Sequence, residues 1–68
     1  MNPYAGTDAN QMAKILAEMS SADAKIAAAN WMTNVFPHVM GFYRGMGLKK
    51  VFELRAELMR AQGKNPDA

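Results

Sequence analysis

The feature that most constrains this sequence is the absence of cysteine from a chain of only 68 residues. A domain this small buries a modest fraction of its surface, so it needs disulfides, a bound metal, very good helix packing or association with another chain. Disulfides are excluded here, and a single histidine argues against a structural metal site. Helix packing and association are left, and we favour association with a partner.

The first third of the chain has the apolar periodicity of a helix. The pattern is carried by residues at i, i+3, i+4 and i+7, namely Met12, Ile15, Leu16 and Met19. With Thr7 as the N-cap, this spacing predicts a helix over about 8–19. Ser20 and Ser21 then interrupt the pattern, and the alanine-rich stretch behind them predicts a second helix over about 22–36.

A proline and several glycines in the second half bear on where the helices end. Pro37 either kinks the second helix or starts a new one. Because glycine weakens helices, we place a turn between Gly45 and Gly47. A third helix is predicted over about 48–62, where apolar residues line one side, and Gly63 ends it.

These patterns together predict an all-α fold, since no stretch alternates in the manner of a strand. The architecture is either a helical hairpin or a three-helix unit. We expect one small domain over 1–68, with an irregular lead-in at 1–6 and a polar tail at 63–68.

Residues that could carry catalysis are too few and too scattered for an active site. The serine and threonine hydroxyls number four, and all but Thr33 stand where helix caps are expected, namely Thr7, Ser20 and Ser21. The one candidate base, His38, has no orienting acid near it in sequence, and the glycines at 41–47 lack the strand and the Lys-Ser/Thr ending of a phosphate loop. We therefore expect a non-enzymatic protein with no catalytic residue, cofactor, metal ligand or small-molecule substrate.

Aromatic residues are concentrated in the middle of the chain, and the sequence is rich in methionine, with seven. The middle segment is apolar around more than half of its helical circumference, so it needs contacts on two sides. Methionine fills cores, but it also suits adaptable interfaces, and aromatic residues, Met and Arg are enriched at interface cores. The predicted partner interface comprises Trp31, Val35, Phe36, Val39, Phe42, Tyr43, Arg44, Met46 and Arg55.

Arg55 is unusual within this set because it projects into the apolar stripe of the third helix. One interpretation is that its guanidinium extends along the stripe to solvent. The alternative is that it reaches a carboxylate on a partner. His38 likewise has two interpretations, a surface or partly buried imidazole and a pH-responsive contact at a partner surface.

The leading functional hypothesis is a protein–protein interaction or assembly module, as an accessory subunit or a homo-oligomer. An alternative is peripheral membrane binding through the aromatic and basic segment 31–50. A third is weak nucleic-acid binding through the basic C-terminal helix, which its interleaved Glu53 and Glu57 disfavour.

The sequence also bears on cellular location. The N-terminal residues do not read as a signal peptide, and no run of about 20 apolar residues could form a transmembrane helix. We expect a protein of the cytoplasm or of an intracellular or viral assembly, with the general character of small phage-encoded or adaptor subunits.

Overall fold

The structure is a computed structural model that describes residues 6–35 and 41–68, without the side chains of Val35 and Phe42. Three helices occur in chain order: α1 (Ala9–Ala17), α2 (Ser21–Val35) and α3 (Gly41–Ala61). No strand is found in these two ranges. The all-α, three-helix prediction is confirmed.

Side-chain caps define where the first two helices begin. Asp8 is the N-cap of α1, and its carboxylate accepts a hydrogen bond from the Gln11 backbone N–H at 2.8 Å, while the Gln11 side chain accepts one from the Asp8 N–H. The N-cap is therefore Asp8, one residue after the predicted Thr7. Before α2, the Ser20 hydroxyl accepts a hydrogen bond from the Asp23 N–H, so the predicted cap at Ser20 is confirmed.

Helix α3 begins seven residues before the predicted position 48. The predicted turn between Gly45 and Gly47 is wrong, because both glycines lie within the helix. Gly47 has a packing role: a Cβ built on it would lie 2.5 Å from the terminal methyl carbon of Met32 in α2. Close packing between the helices at this point offsets the roughly 1 kcal/mol by which a glycine weakens a helix. Whether Pro37 kinks or restarts a helix lies outside the described residues.

The core is formed by all three helices, and α3 packs more extensively against α1 than against α2. Helix α2 contributes mainly small side chains besides Trp31 and Met32, which lets its backbone approach its neighbours closely. The fully or nearly buried apolar residues are Met12, Ala13, Leu16, Ala17, Ala24, Ala27, Ala28, Trp31, Met32, Val51 and Met59.

The C-terminal tail folds back onto the helices. Gly63, at φ 76°, ends α3 as predicted, and the Lys64 N–H donates to the Met59 carbonyl in a Schellman turn. Further along, the Ser21 N–H at the start of α2 donates to the Ala68 carbonyl at 3.1 Å. The polar tail is thus hydrogen-bonded to the point where α1 passes into α2.

Gly45 and Gly47 of α3 should respond differently to an added side chain. A Cβ at Gly45 would meet nothing within 4 Å. Gly45→Ala should therefore raise the free energy of unfolding by about 0.5–1 kcal/mol, because alanine favours the helix. Gly47→Val should lower it by about 1 kcal/mol, since a stiff, branched side chain must displace the flexible end of Met32.

Urea unfolding followed by circular dichroism measures both effects, with Gly45→Val as the matched control. We expect that control to change stability by less than about 0.5 kcal/mol. Equal losses for valine at both positions would contradict the close packing of Met32 on Gly47.

Candidate partner interface

Trp31, the first residue of the predicted interface, lies inside the chain. Only 2% of it is exposed, and its indole N–H donates to the Thr7 carbonyl oxygen at 2.9 Å. This hydrogen bond ties the middle of the chain to the segment just before α1. The expectation that Trp31 presents its side chain to a partner is therefore corrected: it is a core residue that three helices enclose.

Arg55 is also buried, with 2% of its surface exposed. Its guanidinium donates to the backbone carbonyls of Leu16 at 2.9 Å and Met19 at 3.0 Å, at the end of α1, and of Pro66 at 3.0 Å in the tail. The Leu16 carbonyl, which also accepts from the Met19 N–H, lies in the last turn of α1 at the negative end of the helix dipole. The interpretation that Arg55 extends to solvent is therefore wrong, because all three of its donating nitrogens bond to carbonyls of its own chain.

Two of the predicted interface residues are exposed on α3. Tyr43 is 59% exposed and Met46 is 56% exposed, while Arg44 between them is half-buried. The assignment of these three to an interface stays a prediction. Phe36 and Val39 lie outside the described residues, as does His38, and the side chains of Val35 and Phe42 are not described.

A groove of about 400 Å³ opens beside these exposed residues, and we name it the Trp31 groove. Its lining combines the first residues of α1, the end of α2 and one face of α3: Asp8, Ala9, Trp31, Met32, Tyr43, Gly47 and Lys50. The surface inside is almost entirely apolar. The terminal methyl of Met32 occupies the space beside Gly47, so Met32 forms the groove floor at this point. The apolar lining can receive an apolar side chain.

Two opposite charges belong to the lining of the Trp31 groove. Asp8 comes from the start of α1 and Lys50 from α3, and both are exposed. Neither Asp8 nor Lys50 forms an ion pair with another described residue. Within residues 6–35 and 41–68 the ion pair found is Lys64 with Glu18, at 3.9 Å. A ligand with an apolar centre and flanking charges of both signs would therefore match this groove.

Gly47 and Lys50 line the groove but were not predicted as interface residues. Their spacing with Tyr43 is i, i+4 and i+7, which is one helical face. That signal was present but was hidden by interpreting the glycines as a turn. Asp8, Ala9 and Met32 carry no such signal, because they join the groove through tertiary packing.

Two other hollows on the described surface, of about 440 and 480 Å³, have more polar linings with charges of both signs. One lies on the outer face of α3 among Lys49, Glu53 and Arg60, and the other lies between α1 and α3 beside Lys14 and Glu57. Such surfaces are typical of solvated helix faces. Within residues 6–35 and 41–68 no three His, Cys, Asp or Glu side chains cluster as metal ligands would, and no described helix has the length and apolarity to cross a bilayer.

Comparisons with protein-family models, with curated proteins and with solved structures found no match. The class that the fold and the groove define is therefore a small three-helix unit with an apolar groove between its helices.

Proposed function

We propose that this protein is a non-enzymatic helical assembly module that associates with protein chains, copies of itself first among them, through the surface around the Trp31 groove. The observation that carries this proposal is the apolar groove with Tyr43 and Met46 exposed at its side. A half-exposed tyrosine and methionine next to a concave apolar surface have the composition of an interface core. The expected setting, the cytoplasm or an intracellular or viral assembly, belongs to this proposal and rests on the sequence alone.

A protein partner fits this surface better than a membrane does. Membrane-surface helices present a continuous, convex apolar face that can enter the headgroup region. Here the apolar surface is a concave groove. Helix α3 also exposes Glu53 and Glu57, whose negative charges anionic lipids repel. Membrane binding through segment 31–50 is instead tested by co-sedimentation of the chain with anionic vesicles.

The third hypothesis, nucleic-acid binding, loses support when the positions of the basic residues are considered. Arg55 is buried and occupied by backbone carbonyls, so it is removed from the basic surface. The exposed Lys49 and Arg60 share their face of α3 with Glu53 and Glu57. Interleaved acidic groups oppose contact with a phosphate backbone.

Sedimentation equilibrium of the purified chain tests the proposal. We expect concentration-dependent association that Met46→Glu weakens at least about tenfold, because a carboxylate must then be buried in an apolar contact. Tyr43→Ser should act in the same direction. Gln62→Glu is the matched control, since it adds the same charge at an exposed position just after α3.

Circular dichroism of each variant separates lost association from lost fold. A chain that stays monomeric from micromolar to millimolar concentration would contradict the proposal, as would equal effects of Met46→Glu and Gln62→Glu. Co-sedimentation with anionic vesicles by a chain that remains monomeric would instead favour the membrane alternative.

A further inference from the structure

The most exposed large apolar residue described is Ile26 of α2, at 64%. Successive residues turn by about 100° around a helix, so Ile26 projects about 140° away from the buried Trp31. Its neighbours one turn before and after, Ala22 and Ala29, are small and exposed. We name this surface the Ile26 ridge: Ala22, Asp23, Lys25, Ile26 and Ala29. It presents one protruding aliphatic side chain with space around it for a partner to approach.

The charges on the Ile26 ridge complement those of the Trp31 groove. By the same helical geometry Asp23 lies about 60° to one side of Ile26 and Lys25 about 100° to the other. Both are exposed, and neither side chain pairs with another described residue. The ridge thus has an apolar centre between an acid and a base, and the apolar groove carries Lys50 and Asp8.

We infer that the partner in the Trp31 groove is a second copy of this chain, which inserts Ile26 while Asp23 pairs with Lys50. The inference rests on the proposed function and specifies its partner. The groove volume of about 400 Å³ accommodates an isoleucine side chain, and the lining offers it the apolar surfaces of Trp31, Met32 and Tyr43. Lys25 of the inserted ridge is then placed to pair with Asp8.

This contact joins two different surfaces of the chain, so the assembly is head-to-tail. Each copy offers one groove and one ridge, and the ridge projects away from the groove. A head-to-tail contact closes into a ring if its rotation allows and otherwise continues as a filament. A twofold dimer, in which both copies use the same patch, is not expected.

Charge reversal with rescue tests the pairing of Asp23 with Lys50. Asp23→Lys and Lys50→Glu should each weaken association by about three- to tenfold, as for an interfacial charge pair that becomes a repulsion. A chain with both substitutions should associate within about twofold of the original, because the pair is restored with its signs exchanged. Additive losses in the double variant would overturn the pairing.

A mixing experiment tests the head-to-tail arrangement. Ile26→Asp removes the ridge, and Tyr43→Ser with Lys50→Glu disables the groove, since both residues belong to its lining. Each variant alone should be monomeric, whereas an equimolar mixture should form a heterodimer through its one intact groove and one intact ridge. Ile15→Asp is the matched control for Ile26→Asp, and it should leave association intact.

The outcomes separate this inference from the proposed function. If the original chain associates but Ile26→Asp associates equally well, the inference fails and the assembly function stands. If neither variant associates and the mixture also stays monomeric, the contact is not head-to-tail between these two surfaces. If the original chain is monomeric, both the inference and the proposed function are wrong.

Discussion

Replacing Arg55 with alanine is expected to lower the free energy of unfolding by about 3–5 kcal/mol, which for a domain of this size is most of its stability. The guanidinium donates to three backbone carbonyls from two separate parts of the chain. Alanine would remove the guanidinium donors from the Leu16, Met19 and Pro66 carbonyls, of which Leu16 keeps a hydrogen bond from the Met19 N–H. It would also open a cavity between α1, α3 and the tail. Lysine should restore little of the loss, because one ammonium cannot reproduce the planar fork that reaches all three oxygens.

Urea unfolding monitored by circular dichroism measures the effect of Arg55→Ala. Arg60→Ala is the matched control, because it removes an exposed arginine from the same helix and should change stability by about 0.5 kcal/mol or less. A loss below about 1 kcal/mol for Arg55→Ala would mean that its three hydrogen bonds do not hold the helices together.

Replacing Trp31 with alanine is the second large effect, with an expected loss of about 3–5 kcal/mol. Trp31 is the largest fully buried side chain, so its removal leaves a cavity that the small side chains of α2 cannot fill. Trp31→Phe should cost less, about 1–2 kcal/mol, because it retains an aromatic ring but leaves the Thr7 carbonyl without the indole N–H.

The same denaturant titrations rank the two Trp31 variants. Equal losses for alanine and phenylalanine would show that the hydrogen bond to Thr7, rather than the ring's volume, dominates. Because both variants disturb the fold, substitution of Trp31 is unsuitable for testing association, and substitution of the exposed Met46 is the better choice.

The helical class of this protein was predictable because its apolar residues repeat at helical spacing. The extent of α3 was not, since glycine propensity argued for a turn where Gly47 instead packs against Met32. Local propensity is a weak indicator wherever tertiary packing decides the outcome.

The role of Arg55 was beyond sequence reasoning for a related cause. Its partners are backbone carbonyls at the end of α1 and in the tail, and backbone groups have no signature in a sequence. Trp31 was assigned to an interface for a different reason. With α3 predicted to begin at 48, too little helix remained to cover the Trp31 side chain. The longer α3 supplies that cover and, with it, the wall of the groove.

The central claim is that copies of this chain meet through the Trp31 groove and the Ile26 ridge. A dilution series of ¹H–¹⁵N correlation spectra tests it most directly, with the Trp31 indole N–H as an internal probe of the groove floor. We predict that signals from Gly47, Lys50 and the indole shift together with those around Ile26 as concentration rises. Spectra that do not change with concentration, or that change at neither surface, would contradict the claim.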